Sequence, residues 1–438
     1  MSGQDLAILG GTPAVAQPRH FIWPPVTEED INAVVRLMRN HELSYYGREG
    51  EVAELEDAFC DYLGIRHGLA TSSGTTALHS AFFGAEIGPG DEVLAPTYTF
   101  LATVMPIFVT NGTPVLVDAE PDTGNIDPAD IERRITPRTK ALVVTHMWGQ
   151  PCDMPAIVDI ARRHDLILIE DCSHAHGAIC NGQKVGTFGD VAVFSLQGKK
   201  LVAAGQGGIL MTNNQDIYER ATLLGHFKVR SHQEVRSEKY APFASTGYGL
   251  NYRMHPLAAA IANVQFRKLE ERIAARHHNF DYLSERLHGI PGIEPPVHKQ
   301  YVTRHALYSY KPLYRPHELN DLPITLYIQA LRAEGVDIEK SETPPLHLEP
   351  LFQVHNDQME TYGRPDKFVN GGTRRTYAAG DLPNSELYAN RSLVLPAFTE
   401  PVRDMFDQYV IAFQKVAENI DRLHAYQRET ERSPAVGR

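Results

Sequence analysis

The sequence predicts an α/β protein: a mostly parallel central sheet with crossover helices, followed by a smaller α+β C-terminal domain. Three observations carry this. From about residue 66, strand-like and helix-like runs alternate, the pattern of a parallel sheet wound with helices. Several strand-like runs show no polar alternation, as expected of strands covered on both faces. Beyond the long helical stretch that Pro256 opens, the runs become shorter and mixed.

In chain order, residues 1–25 read as irregular and rich in Gly and Pro. Glu28 to Met38 carries Ile31, Val34, Val35 and Met38 at helical spacing, and Val52 to Leu63 repeats that pattern. The strand-like runs are EVLAP from 92, PVLVD from 114, KALVVTH from 140, LILIED from 166, DVAVFS from 190 and GILMT from 208. Helical runs begin at 76, at 99 (broken by Pro106) and at 154. Pro256 suits the first turn of a helix running to Leu287. Residues 306–312 read as a strand, 323–334 as a helix, and 340–390 as a polar, Pro-rich irregular segment of the kind used as lids or binding loops. Residues 402–424 form an amphipathic helix with Phe406, Tyr409, Phe413, Val416, Ile420 and Leu423 on one face, and the tail from about Arg428 reads as disordered. The domain boundaries follow: 1–60 as an N-terminal arm and helices packing on the large domain, 61–265 as the large α/β domain, and 266–438 as the linking helix and small domain.

Bulk properties remove several function classes. With 42 basic and 54 acidic residues the formal net charge is −12, which offers no basic face to nucleic acid or anionic lipid. No apolar run is long enough for a membrane helix and the N-terminus lacks a basic export signal, so a cytoplasmic protein is expected. Cys60, Cys152, Cys172 and Cys180 form no C-x-x-C pair and read as reduced thiols. The 20 histidines show no metal-ligand spacing, so no metal is expected.

The chemistry concentrates at strand ends. Asp171 closes the LILIED run, and ligands of open α/β sheets bind at the carboxyl edge of the strands; capping the next helix is its alternative task. His174 follows three residues on, with His176 in the same turn. Lys200 lies in FSLQGKKLVAAGQGG (194–208), after a strand and before a Gly-rich turn; adjacent Lys199 competes for the same role, and Ser195 could bond a phosphate. TSSGTTALHSAFFG (71–84) places Gly74, Thr75 and Thr76 at a helix start, where unpaired N–H groups and the helix dipole attract phosphate. Tyr98, in APTYTF (95–100), could stack on a flat ring, and Asn251 and Arg253, in GYGLNYRM (247–254), could reach an anion. A lysine for an aldehyde, an acid for a ring nitrogen and backbone amides for a phosphate are what pyridoxal phosphate (PLP) requires.

In order and spacing, TSSGTTALH, APTYTF, EDCSHAHGA, FSLQGKK…AGQGG and NYRM resemble the DegT/DnrJ/EryC1/StrS family over about residues 8–425. That family consists of fold-type I PLP enzymes, mostly sugar aminotransferases of antibiotic and cell-surface sugar pathways. The resemblance implies that Lys200, six residues after Phe194, carries the cofactor. It implies that Asp171 meets the pyridine nitrogen, His174 the phenolic oxygen, and Gly74, Thr75 and Ser195 the phosphate. Tyr98 matches the stacking aromatic, and Asn251 an asparagine that reaches the cofactor phosphate of the neighbouring subunit, which implies a homodimer with composite active sites. Two subgroups look most similar: glutamine-dependent aminotransferases of cyclitol ketones such as scyllo-inosose, and 3-amino-5-hydroxybenzoate synthases. Departures from the family pattern are Gln206 for a usual Glu, Lys199 for a small residue, Cys172 and Ser173 after the acid, and the long 340–390 segment.

The expected function is therefore PLP-dependent transfer of an amino group from glutamine or glutamate to a ketone of a cyclitol or of a free or nucleotide-linked sugar, in antibiotic or other secondary metabolism. The alternative is a PLP-dependent dehydratase or aromatising enzyme of the aminohydroxybenzoate type. A non-catalytic scaffold is disfavoured by the intact Lys200 and Asp171 pair.

Overall fold

The computed structural model describes residues 5–353 and 375–432. Seven strands form the central sheet: β1 (His67–Thr71), β2 (Glu92–Pro96), β3 (Thr113–Val117), β4 (Thr139–Thr145), β5 (Ile167–Asp171), β6 (Val191–Ser195) and β7 (Gly208–Thr212). Their order is β1-β7-β6-β5-β4-β2-β3. Every neighbouring pair from β6 to β3 is parallel, and only β7 runs against its neighbours. β1 escaped the sequence reading because HGLAT, with His and Gly in five residues, carries almost no hydrophobic periodicity.

Burial on both faces explains the unbroken apolar strands. Along β2, Val93 and Ala95 enter one core with Leu78 and Phe82 of α3 (Gly74–Gly84). Leu94 points the other way, into a core with Ile157 of α4 (Met154–Arg163). Under β6 and β7, Phe194, Ile209 and Met211 pack with Val52 and Phe59. The helices α1 (Glu28–Arg39) and α2 (Gly50–Leu63) are tied to the helix at 256–267 by the amides of Asn263 and Gln265, which donate to Glu51 O (3.0 Å) and Asp30 Oδ1 (2.6 Å).

Several expectations change in detail. The segment from 99 contains a 3₁₀ turn, Leu101–Thr103, and a short helix, Met105–Val109, that Pro106 opens rather than breaks. After α5 (Gln215–Gly225), the stretch from Pro256 divides at Lys268 into α6 (Pro256–Arg267) and α7 (Leu269–Leu287). Residues 306–312 are not a strand: they depart to bond a loop of the large domain, and a two-residue strand follows at Leu313–Tyr314. Beyond α8 (Ile324–Ala333), the irregular segment contains α9 (Pro383–Arg391); residues 354–374 lie outside the described residues. Leu346, Phe352, Tyr377 and Leu382 of that segment return to the large-domain core. The amphipathic stretch divides at Asn419 into α10 (Arg403–Glu418) and α11 (Ile420–Arg432), so the tail expected to be disordered from Arg428 is helical to Arg432, and 433–438 lie outside the described residues.

The second core joins Phe280, Tyr327, Phe406, Tyr409 and Phe413. The first residues of the arm belong here, not on the large domain as expected. Leu6 and Val15 enter this core, and buried Glu334 accepts from Ala7 N (2.7 Å), Ala14 N (2.9 Å) and Lys415 Nζ (2.8 Å). One carboxylate thus anchors a segment with little secondary structure of its own. No described helix is long and apolar enough to cross a membrane.

A buried ion pair holds α2 against the sheet. Arg230 donates to both oxygens of Glu56 (2.8 and 3.0 Å), which also accepts from Ala70 N of β1 (2.7 Å). Arg48 Nε also reaches Glu56 (2.9 Å), so removing Arg230 leaves the buried carboxylate partly paired, at a cost of up to about 3–5 kcal/mol. Arg230→Met is expected to lower unfolding stability by about that amount in urea titrations. Glu56→Gln combined with it should recover part of the loss.

Candidate active site

The carboxyl ends of the parallel strands and the start of α3 converge on a cavity of about 480 Å³. Gly74, Thr75, Asp171, His174, Ser195 and Lys200 all line it. These six sequence candidates come from three separate segments, so their convergence is a product of the sheet order. Tyr98 and Asn251 do not line the cavity. Tyr98 is fully buried behind it, against Tyr388 and bonded to Ser341 Oγ (3.2 Å). Phe100, two residues on and exposed, lines the cavity instead. Asn251 is exposed at the end of β1, where Tyr252 O accepts from Ser72 N (2.7 Å).

Asp171 ends β5 almost fully buried. Its Oδ2 accepts from Thr103 Oγ1 (2.7 Å) and its Oδ1 from Ser173 N (3.1 Å), so it closes a local turn rather than capping a helix. Thr99 and Thr145 extend the hydroxyl network behind Thr103 (2.9 to 3.3 Å). The adjacent strand residue, Glu170, faces away and accepts from the amides of Gly186, Phe188 and Gly189, each at 2.8 Å. His146 Nε2 lies 3.3 Å from Glu170, and its Nδ1 accepts from Cys152 N (3.0 Å). His146 and Glu170 therefore tie the loops at Cys152 and at Gly186–Gly189 to β5, with Cys172 buried beside them.

His174 sits in a ring stack. Its imidazole stacks nearly parallel on the Tyr308 ring at 4.1 Å and lies 5.4 Å from Trp148. Burial, reinforced by Lys200 and Lys311, pushes its pKa well down, so the ring is neutral. Its Nδ1 is buried without a hydrogen-bond partner among the described residues. His176, the other candidate of the same turn, packs between Phe59 and Phe194 away from the cavity lining.

Lys200 lies in a loop fixed at both ends. Leu196 N donates to Gly207 O and Gly198 N to Gly205 O, while Trp23 Nε1 and Arg272 Nη1 hold the carbonyls of Lys200 and Leu201 (both 3.1 Å). Gly205 has φ +78°, a conformation that favours glycine. The Lys200 ammonium is 4.7 Å from the Tyr308 ring centroid. Burial presses its pKa down to about 8; Asp171 draws it back up and Lys199 pushes it down. Lys199 is exposed at the rim. The two lysines that sequence could not separate thus have different environments.

The α3 end of the cavity suits a phosphate. Ser73 caps the helix by accepting from Thr76 N (3.1 Å), and the first N–H groups of any helix lack intrahelical acceptors. Gly74 permits the close approach of Ser195: a Cβ there would fall 2.7 Å from Ser195 Cβ. The residues present fit PLP on observations of this structure: an amine of depressed pKa, a buried acid, an orphaned neutral imidazole nitrogen and a phosphate-sized helix start share one cavity. Sequence reasoning missed Phe100, Thr103, Trp148, Gln197 and Tyr308, all of which line it. Trp148 followed a strand end, the one signal that pointed to it, whereas Tyr308 was read as part of a strand.

A neutral amine attacks an aldehyde and a protonated one does not. The rate at which cofactor-free protein takes up added PLP, followed by its visible band, should rise with pH and level above about 8. A rate still climbing at the pKa of an ordinary lysine would contradict this environment. Lys200→Ala should lose the band and Lys199→Ala keep it.

The DegT/DnrJ/EryC1/StrS aminotransferase family profile matches residues 24–370. A putative L-glutamine:3-amino-2,3-dideoxy-scyllo-inosose aminotransferase from Streptoalloteichus tenebrarius is 33% identical over 429 residues, 96% of this chain and 99% of its own. GDP-perosamine synthase from Caulobacter vibrioides is 38% identical over 287 residues, 66% of this chain and 75% of its own. The crystal structure of 3-amino-5-hydroxybenzoic acid synthase matches with a TM-score of 0.77 at 25% identity, over 92% of this chain and 99% of that one. With this match and the cavity described above, the chain belongs to the DegT/DnrJ/EryC1/StrS family and is a PLP-dependent aminotransferase.

Proposed function

We propose that the chain moves an amino group from glutamine or glutamate to a ketone of a cyclitol or sugar. The observation that carries this is the sharing of one cavity by the Lys200 amine, the Asp171 carboxylate and the start of α3. Bound there, PLP supplies an aldehyde that exchanges amino groups and a ring that accepts electrons. Asp171 holds a proton on the ring nitrogen, with Thr103 and Ser173 fixing its oxygens. Lys200, its pKa pressed down to about 8 so that a fraction is neutral at physiological pH, moves the proton at the substrate carbon that bears nitrogen. His174 Nδ1 would be free to bond the phenolic oxygen, and Gly74, Thr75 and Ser195 would hold the phosphate. Phe100 takes the stacking role first expected of Tyr98, because it alone of the two lines the cavity. Asn251 serves the partner subunit of a homodimer, which its exposed position outside this cavity supports.

Both substrate classes have a relative behind them. The cyclitol class has a relative that spans nearly the whole chain, whereas a GDP-sugar relative matches two thirds of it; we therefore favour the cyclitol. A dehydrating or aromatising reaction is the second reading, supported by the likeness to the aminohydroxybenzoate synthase. Adding glutamine to the PLP-loaded protein should convert the visible band to that of the aminated cofactor, and a keto-cyclitol should restore it. A band that persists with glutamine and glutamate, together with product formed from a cyclitol without a donor, would move the assignment to the second reading.

A further inference from the structure

A second cavity of about 550 Å³ adjoins the first and shares Trp148, Lys199, Tyr308 and Thr343 with it. Two of its lining side chains are basic and buried, with no carboxylate paired to them among the described residues. Lys311 is 4% exposed. Its ammonium lies 3.6 Å from the Trp148 ring centroid and donates to Ser341 Oγ (3.0 Å). Arg276 is 2% exposed, sits 4.4 Å from the Trp23 ring centroid and donates from Nη1 to Leu307 O (2.8 Å) and Tyr308 O (3.4 Å), while its Nε has no partner among the described residues. Burial pushes the Lys311 pKa well down and that of Arg276 down to about 9.

Buried cations without a counter-ion are costly, and aromatic faces offset only part of that cost. Two such groups lining one cavity next to a reaction site ask for an anion. The charge of that anion is constrained as well: Asp337, Glu339 and Glu342 line the same cavity alongside Lys199, Lys340, Arg276 and Lys311, so the small surplus of positive charge suits a singly charged anion better than a doubly charged phosphate. A carboxylate carries a single charge, and its two oxygens match the guanidinium fork. Its distance from the reacting centre is short. The ammoniums of Lys200 and Lys311 lie against the Tyr308 and Trp148 rings respectively, and those rings stack 6.3 Å apart.

We propose that this cavity is a carboxylate subsite of the same active site, in which Lys311 and Arg276 bind a carboxylate group of a substrate. The proposal rests on the aminotransferase reading and leaves two sources for the group: the amino-acid donor or a carboxylated acceptor.

The test is calorimetric binding to the PLP-loaded protein, wild type and Lys311→Met, with three probes. Glutarate mimics the donor without its amine, quinate is a carboxylated cyclitol, and pyrophosphate carries multiple charge. The expected result is at least a tenfold weaker glutarate affinity in the variant, with a matching rise in the glutamine concentration that half-converts the visible band. A loss confined to quinate would support the subsite and assign the carboxylate to the acceptor. Unchanged affinity for both carboxylates, or a Lys311-dependent site that takes pyrophosphate alone, would overturn it. The variant should keep its visible band and a melting temperature close to wild type, because methionine keeps the packing against Trp148; should it fail to fold, Lys311→Gln serves in its place. Wild-type protein that binds glutarate through Lys311 yet converts no donor would sink the aminotransfer reading while leaving the subsite standing.

Discussion

The active site depends on one contact between domains: the backbone pairing of the loop after β4 with residues 306–308. Ala306 N donates to Gly149 O (2.9 Å) and Tyr308 N to Trp148 O (3.0 Å). To make this contact, Trp148 takes φ +58° and Gly149 φ +96°, values that cost a tryptophan strain and a glycine nothing. No side chain fits at Gly149, where a Cβ would meet His174 O at 2.9 Å and Leu307 N at 3.0 Å. Asn125 braces the loop, accepting from Met147 N and donating to the carbonyls of Gln150 and Pro151. The result is the His174, Tyr308 and Trp148 stack, against which the ammoniums of Lys200 and Lys311 both rest.

That stack sets the electrostatics of the whole region. Its aromatic faces attract cations while excluding water, so basic groups gather there with their charged forms disfavoured by burial. Lys200 is brought to about 8, His174 is kept neutral, and Lys311 is pushed well below an ordinary lysine. Asp171 stands on the opposite terms, fixed by two hydrogen-bond donors at the end of a strand. A base near neutrality and an acid held in place within one cavity form the pairing of roles that proton transfer needs.

The fold was legible where periodicity was strong, and the site where residues lay at strand ends. β2, β5, β6 and β7 were apolar enough to be read directly, and Asp171, His174, Ser195 and Lys200 follow β5 and β6 closely in sequence. What was not legible depends on contacts between distant segments. Residues 306–312 have a strand-like composition, yet their amides serve a loop 150 or more residues away. Leu6 and Val15 carry no periodic signal because a single carboxylate, Glu334, holds their segment on the second core. In APTYTF two aromatics alternate, and only the packing of Tyr98 against Tyr388 reveals that it points inward while Phe100 faces the cavity. Lys199 and Lys200 are chemically identical in sequence, and the fixing of their loop by Trp23 and Arg272 separates them.

The central claim is that Lys200, and no other lysine, carries the cofactor. Reduction of the PLP-loaded protein with borohydride, followed by proteolysis and mass spectrometry, tests it most directly. The account predicts a single pyridoxyl-modified residue at Lys200. Modification at Lys199 or Lys311 in its place would contradict the assignment and the geometry built on it.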